Sequence, residues 1–213
     1  CGFIGRHVAE ELLGNGYQVR ILDAMIDQVH ADAEAAVPDA AEVIRGDVRD
    51  KAIVEQALED VEGVLHLAAE VGVGQSMYEI ARYVGGNDLG TAVLLEAMIG
   101  KKIKRIVVAS SMSVYGEGRY EAKDGASPSL VRRKADRIKA GLWEATGPNG
   151  EELVPVPTDE EKPVDLASIY ALTKYAQEKQ VLIFGEAYGI EAVALRLFNV
   201  FGAGQALSNP YTG

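Results

Sequence analysis

A tyrosine and a lysine four residues apart, Tyr170 and Lys174, are the side chains in this sequence best suited to proton transfer. On a helix this spacing places them on one face, about one turn apart. A nearby positive charge favours the phenolate and lowers the pKa of a tyrosine, which makes it a base for taking a proton from an alcohol. By itself the spacing is common, and a half-buried tyrosine beside a solvated lysine is the plainer interpretation. Whether the pair is catalytic or only structural therefore depends on the sequence elements around it.

The composition limits the classes of protein to which this sequence can belong. The 213 residues suffice for a substantial core, and 48% hydrophobic and 25% charged residues are ordinary for a globular protein. The net charge of −11 argues against a nucleic-acid partner, and no apolar run is long enough to span a membrane. The single cysteine allows no intrachain disulfide, and the few histidines show no metal-ligand spacing. We therefore expect a cytoplasmic protein without a metal site.

The first residues resemble the second half of a dinucleotide-binding turn. Gly2-Phe3-Ile4-Gly5 precedes an amphipathic helix over residues 6–14, and a strand over 17–23 ends in Asp23. Such glycines let the backbone approach a pyrophosphate at a helix N-terminus. Asp23 would accept both hydroxyls of the adenosine ribose and repel a 2′-phosphate, which favours NAD over NADP. The plainer alternative for Asp23 is a cap on the following turn.

Strands and helices alternate along the rest of the chain, which predicts an α/β fold with a doubly wound parallel sheet. We expect strands over residues 41–47, 63–69, 103–110 and 191–197, and helices over 51–58, 77–99 (interrupted at Gly85-Gly86) and 167–188. The strand over 63–69 is of the fully buried type. Residues 117–163 break the alternation with five prolines. We expect there a surface excursion with a helix near 130–143, whose basic run at 132–134 is a solvated face.

Residues that follow the predicted strands suit a dinucleotide. Asp47 and Val48 would lie near the adenine ring, although Asp47 could instead cap the helix that starts near Lys51. Ala68 and Ala69 are small enough to let a cofactor cross the strand end.

Seven motifs in order resemble the extended short-chain dehydrogenase/reductase family, and more narrowly its NAD-dependent nucleotide-sugar epimerase/dehydratase branch. They are Gly2-Phe3-Ile4-Gly5, Gly46-Asp47-Val48-Arg49-Asp50, His66-Leu67-Ala68-Ala69, Asn87-x-x-Gly90-Thr91, Ser110-Ser111-Met112-Ser113-Val114-Tyr115-Gly116, Tyr170-x-x-x-Lys174 and Leu195-Arg196-Leu197-Phe198-Asn199-Val200-Phe201-Gly202. The resemblance implies a Rossmann-like fold truncated at both ends. Residues 1–213 would then form a partial NAD-binding domain that lacks its first strand, first glycine and C-terminal substrate lobe.

The resemblance also implies roles for individual residues. Tyr170 would be the catalytic base, Lys174 its partner and holder of the nicotinamide ribose, and Ser111 the hydrogen-bond partner of the reacting hydroxyl. Ser113 and Asn199 would contact the sugar-nucleotide substrate. The residues expected to contact NAD are Gly2, Phe3, Ile4, Gly5, Asp23, Asp47, Val48, Leu67, Ala68, Ala69, Asn87, Tyr170 and Lys174.

The reaction expected from the resemblance is 4-epimerisation of a nucleotide sugar, most like the type acting on dTDP-L-rhamnose. Dehydratases of the family carry an Asp-Glu pair directly after the catalytic residue, where this chain has Met112 and Ser113, neither of which is a carboxylic acid. Another dehydratase, decarboxylase or reductase of the branch, or a non-catalytic NAD-binding relative, remains the alternative. We expect a dTDP- or UDP-linked substrate and a homodimer through helices 77–99 and 167–188.

Overall fold

Strands and helices alternate in the computed structural model, which describes residues 1–26 and 37–205. The helices are α1 (Phe3–Gly14), α2 (Lys51–Ala57), α3 (Val73–Ser76), α4 (Ile80–Tyr83), α5 (Gly90–Met98), α6 (Ala135–Lys139) and α7 (Ile169–Tyr188). The strands are β1 (Arg20–Asp23), β2 (Glu42–Arg45), β3 (Gly63–His66), β4 (Arg105–Ser111), β5 (Arg119–Ala122), β6 (Leu153–Val156) and β7 (Glu191–Leu197). Each strand and helix predicted from the sequence is present, with shifted ends.

The strands of the α/β part run parallel, as predicted. β1 pairs with β2, and β3, β4 and β7 form a second sheet in the order β3-β4-β7. In parallel strands the carboxyl ends meet at one edge, so the segments that follow β1 to β4 lie where a dinucleotide binds in such folds. The sheet therefore puts the predicted cofactor residues on its functional edge.

The main core lies on one face of β4. Ile106 and Val108 of that strand pack with Val54 of α2, Leu94 of α5 and Val181 of α7. Burying each such side chain stabilises the fold by about 1.5–3 kcal/mol. This core holds α5 and α7, which carry much of the candidate site, against the strand that carries the serines.

The opposite face of the second sheet is only partly covered. Leu65, Val193 and Leu195 are 39–45% exposed, and Leu65 lines an apolar groove of about 550 Å³ with α1 and the segment after β7. The prediction that β3 is a fully buried strand is therefore wrong, because only one face of its sheet is packed against helices.

The helix predicted over residues 77–99 is not interrupted at its glycines. A π-helical turn, Val84–Leu89, joins α4 directly to α5. Gly86 lies against the Glu70 side chain, where an added Cβ would be 3.0 Å from Cγ, so this glycine allows a close approach instead of ending the helix. The turn also carries Asn87, and such turns are frequent at functional sites.

Residues 117–163 form a small lobe that the sequence did not predict. β5 and β6 pair antiparallel, and Val131, Ala145 and Leu153 make a separate core. The basic run is exposed, as predicted, but it precedes the short helix α6 instead of lying on it. Arg133 forms an ion pair with Glu117 inside the lobe, and Arg132 forms one with Asp165, which links the lobe to the segment before α7.

Neither a metal centre nor a membrane span is found in the described ranges. No cluster of three or more His, Cys, Asp or Glu side chains is placed to hold a metal ion in residues 1–26 and 37–205. In that same part of the chain, no helix combines the length and the apolar character needed to cross a bilayer.

Candidate active site

The first turn of α7 presents Tyr170 to the end of β4. Ser168 caps this helix, since its Oγ accepts from the backbone N–H of Ala171 at 3.0 Å. The backbone N–H of Tyr170 donates to Ser76 Oγ of α3, also at 3.0 Å. Two hydroxyls, one of them from a distant segment, therefore fix the helix start that carries the phenol.

The Tyr170 side chain lies beside Ser111, near enough for the serine to lower the pKa of the phenol. Ser111 is the last residue of β4, and its hydroxyl donates to Ser113 Oγ at 3.1 Å while accepting from the backbone N–H of Ser113. Burial raises the pKa of the Tyr170 phenol, and Ser111 offsets part of that rise. A proton could pass between a bound alcohol and this pair, as the spacing of the motifs predicted.

Lys174 is almost fully buried one turn further along α7, with 3% of its surface exposed. Its Nζ donates to Gln177 Oε1 at 2.7 Å, and burial lowers the pKa of Lys174 to about 8. The expected lowering of the Tyr170 pKa by Lys174 is not found, because burial dominates both groups and the ammonium is engaged by Gln177. On this point the sequence interpretation was wrong for the protein without its cofactor.

The start of α1 fits a diphosphate. Gly2 is the N-cap and makes no side-chain capping bond, and the first turn carries no acidic residue. An added Cβ on Gly2 would meet nothing within 4 Å, and one on Gly5 only Leu67 Cδ1 at 3.8 Å. The backbone N–H groups of a 12-residue helix thus face an approachable surface of positive polarity. Phe3 and Ile4 lie in that same turn.

The two predicted acids after β1 and β2 both organise local turns. Asp23 accepts from the backbone N–H of Met25 at 2.7 Å and lies 2.8 Å from the backbone nitrogen of Cys1, which places it beside the α1 turn. Asp47 accepts from the Arg49 backbone and guanidinium, and the hydrogen bond from that side chain lowers the pKa of Asp47. The cap of α2 is Asp50, so the alternative role considered for Asp47 is excluded.

Val48 lies against the start of α5. An added Cβ on Gly90 would come within 2.5 Å of Val48 Cγ1, so only glycine allows this approach. The contact links the predicted adenine side of the site to the helix that follows Asn87.

Leu67, Ala68 and Ala69, predicted to end the strand over 63–69, follow β3, which ends at His66, and continue into Glu70 beside Asn87. Asn87 is fully buried, accepts from the backbone N–H of Glu70 at 2.7 Å and donates to Thr173 of α7 at 2.8 Å. Asn199 lies exposed after β7. The structure thus brings Ser111, Ala68 and Asn87 to the helix α7 that carries Tyr170 and Lys174. Contact of these residues with NAD or substrate stays a prediction.

Three further residues of this region were not predicted as site residues. Ser76 caps the Tyr170 amide, Gln177 binds Lys174, and buried His66 lies with its Nε2 2.8 Å from Thr91 Oγ1. Burial and, to a smaller extent, the charge of Lys174 lower the pKa of His66 to about 3, so the ring is neutral. The three-residue spacing of Lys174 and Gln177 on one helix was the one signal available for Gln177.

A phenol and a serine poised for proton transfer, next to a helix start open to a diphosphate, define the class of nicotinamide-dependent enzymes related to short-chain dehydrogenases. The model of the NAD-dependent epimerase/dehydratase family matches residues 1–134 and 143–212. The chain therefore belongs to that family. This confirms the predicted family, the Rossmann-like α/β fold and NAD as the cofactor.

Individual relatives agree with this assignment. The chain is 34% identical to the dTDP-L-rhamnose 4-epimerase of Burkholderia thailandensis, covering 100% of this chain and 59% of that protein. The structure of Thermus thermophilus UDP-glucose 4-epimerase in complex with NAD matches with a TM-score of 0.71 at 30% identity, over 96% of this chain and 55% of that one. A UDP-N-acetylglucosamine 4-epimerase from Methanobrevibacter ruminantium, in complex with UDP-N-acetylmuramic acid, matches with a TM-score of 0.72 at 29% identity, over 100% and 56%. The chain thus spans somewhat more than half the length of these relatives.

Proposed function

We propose that the complete protein is an NAD-dependent nucleotide-sugar 4-epimerase, in which residues 1–213 supply the dinucleotide-binding part. The observation that carries this proposal is the position of the Tyr170 phenol beside Ser111, with Lys174 buried on the same helix. It supports proton transfer at a sugar hydroxyl, and the names of the relatives support inversion at C4.

In the proposed reaction Tyr170 Oη receives the proton of the C4 hydroxyl, and Ser111 Oγ holds that hydroxyl in line. NAD, when bound, accepts the hydride from C4 and later returns it to the other face of the ring. Tyr170 then gives its proton back to the C4 oxygen, so atoms and electrons balance over the cycle. Gly2 and Gly5 would bind the diphosphate, Asp23 the adenosine ribose, and Lys174 the nicotinamide ribose.

The residues after Ser111 favour epimerisation over dehydration. A 4,6-dehydratase must protonate a leaving hydroxide, for which a carboxylic acid is suited. Here the next residues are Met112 and Ser113, and Ser113 is bonded to Ser111. An epimerase needs no additional acid at this position. We assign to Ser113, and to Asn199 beyond β7, contact with the sugar nucleotide.

The substrate would be a dTDP- or UDP-linked sugar, and the experiment that tests the function also separates these. The complete gene product is incubated with NAD and either dTDP-L-rhamnose or UDP-glucose in D2O, and products are followed by proton NMR. We expect C4 inversion with no solvent deuterium at C4, because the same hydrogen leaves and returns. Accumulation of NADH would indicate a dehydrogenase, loss of water a dehydratase, and no turnover of any nucleotide sugar would contradict the proposal.

We further propose a homodimer, supported by an apolar face on α7. Leu172 and Ile183 are 11 residues apart, which returns to nearly the same side of a helix, and they are 46% and 64% exposed. Leu89, in the adjacent π-helical turn, is also exposed. Sedimentation of the complete gene product should give a dimer, and Ile183→Glu should shift it to monomer. A monomeric wild type would contradict this part.

A reducing compartment is proposed as the place of action. Cys1 is the single cysteine of the 213 residues, so this part of the protein gains nothing from an oxidising environment. We infer a cytoplasmic enzyme, which fractionation of the source cells would test.

A further inference from the structure

Gln177 holds the ammonium of Lys174. It is fully buried on α7, three residues after the lysine, and its Oε1 accepts from Lys174 Nζ at 2.7 Å. An ammonium only donates hydrogen bonds, so the atom facing it must be the amide oxygen. This fixes the orientation of the Gln177 amide and points its nitrogen away from Lys174.

That nitrogen is itself anchored on two other elements. Gln177 Nε2 donates to Thr91 Oγ1 of α5 at 2.8 Å and, at 3.4 Å, to the carbonyl of Ala68 after β3. The Thr91 hydroxyl donates to the Asn87 carbonyl at 2.7 Å, so its oxygen is the acceptor for Gln177, and His66 Nε2 lies 2.8 Å from Thr91 Oγ1 and 3.2 Å from Gln177 Nε2. Rotating Gln177 away would remove the acceptor of Lys174 and the donor to Thr91 and to the Ala68 carbonyl.

We propose that Gln177 is a positioning residue for the proposed epimerase reaction: its amide oxygen keeps Lys174 charged and in place one helical turn from Tyr170. The inference rests on the proposed function. Gln177 does not touch the reacting atoms, and it acts through Lys174.

The balance of charges around Lys174 explains why an acceptor matters there. The titratable group that interacts with it is the neutral His66 from β3, while the neighbouring carboxylate of Glu178 is engaged by Arg196 and Ser110. Burial lowers the pKa of Lys174 to about 8, and removal of the Gln177 oxygen would lower that pKa further. A neutral lysine would have one proton fewer to donate to the nicotinamide ribose that Lys174 binds in the proposed reaction.

Three variants of the complete gene product test this role. Gln177→Met keeps the length of the side chain and removes its hydrogen bonds, Gln177→Glu keeps an acceptor and adds a charge, and Gln180→Met makes the same exchange one turn further along α7. For each variant, kcat and KM are measured against pH, together with Tm and NAD affinity.

In Gln177→Met we expect kcat to fall about tenfold, with little change in the KM for the sugar. The alkaline limb of the kcat profile should move to lower pH by about one unit, since one pH unit is a tenfold change in protonation. Gln177→Glu should recover most of kcat and move the alkaline limb upward. Gln180→Met should behave as wild type.

An unchanged pH profile in Gln177→Met and in Gln177→Glu would overturn the proposal. An equal loss of kcat in both variants, in parallel with a lower Tm, would also overturn it, since this result would show that Gln177 only stabilises the fold. If the wild type turns over no nucleotide sugar, the proposed function fails, but the positioning role can still be tested. The test is the pKa of Lys174, measured from the 15N NMR signal of its Nζ, which the variant Lys174→Arg assigns. This pKa should be lower in Gln177→Met and higher in Gln177→Glu, and equal values in all three proteins would overturn the role.

Discussion

Asn87 and Thr173 join two elements that lie 86 residues apart in sequence, through a buried hydrogen bond of 2.8 Å from Asn87 Nδ2 to Thr173 Oγ1. Asn87 also accepts from the Glu70 backbone N–H at 2.7 Å and donates to the Glu70 carbonyl at 3.2 Å, while Thr173 donates to the Tyr170 carbonyl at 3.0 Å. One amide therefore fixes the segment after β3 relative to the helix that carries Tyr170. Internal positioning is a role that Asn87 fills in addition to its predicted place near the cofactor.

Replacing Asn87 by alanine should destabilise the protein more than any single exchange of its partner. Asn87→Ala leaves the partly buried N–H and C=O of Glu70 without their partners, at about 1–3 kcal/mol each. Thr173→Val, the matched control, removes the hydrogen bonds of Thr173 with Asn87 and with the Tyr170 carbonyl and should cost about 0.5–1.5 kcal/mol for each. Urea unfolding of both variants measures the difference. Equal losses would show that the bonds to Glu70 contribute little.

Removing the phenol of Tyr170 should abolish turnover while leaving the fold intact. Its hydroxyl lies beside Ser111, and in Tyr170→Phe that serine keeps its hydrogen bond to Ser113. Loss of the proton-transfer group should lower kcat about 10²- to 10⁴-fold. Tyr188→Phe, at the exposed end of the same helix, is the control and should retain full activity. An active Tyr170→Phe with normal Tm would place the base elsewhere.

Local sequence signals predicted the elements that carry Tyr170 and Ser111, because each residue lies near the boundary of an element. Ser111 ends a β-branched strand and Tyr170 begins a helix capped by Ser168, so periodicity and capping define their neighbours. Gln177 carries no such signal. Its partners come from elements 86 to 109 residues away, and their meeting depends on how the strands and helices pack.

Glycine and proline were the residues interpreted least well. Gly85 and Gly86 predicted a helix break, yet the backbone passes through them as a π-helical turn. Pro155 indicated a loop, yet it lies in β6 opposite Tyr120. A two-stranded sheet has only edge strands, which tolerate proline. Both residues limit local geometry, but the neighbouring element decides which of the allowed conformations is used.

A methyl group on Gly90 should disturb the adenine side of the site. The added Cβ would lie 2.5 Å from Val48 Cγ1, so Gly90→Ala must displace Val48 or α5, at about 1–3 kcal/mol. We expect a lower Tm and weaker NAD binding by calorimetry. Gly14→Ala is the control, because an added Cβ there meets nothing within 4 Å and alanine favours a helix. If both variants bind NAD equally well, the segment at Val48 does not contact the cofactor.

His66 should make the protein less stable as the pH falls from 7 to 5. Burial, with a smaller effect of the Lys174 charge, lowers the pKa of His66 to about 3. An unfolded histidine takes up a proton below about pH 6.5, whereas folded His66 does so only near pH 3, so stability falls with pH between these values. The slope is about 1.4 kcal/mol per pH unit, which gives a loss of about 2 kcal/mol at pH 5.

Urea unfolding at pH 7, 6 and 5 tests this slope by comparison of three proteins. His66→Gln retains an amide that can donate to Thr91 but does not titrate, so its free energy of unfolding should fall by about 2 kcal/mol less than that of wild type. His7→Gln, on the exposed surface of α1, is the control and should keep the wild-type slope. The carboxylates titrate alike in all three proteins and cancel in the comparison. Parallel curves for wild type and His66→Gln would mean that His66 becomes protonated in the folded protein, and that the hydrogen-bonded group around Thr91 and Gln177 accommodates a second charge.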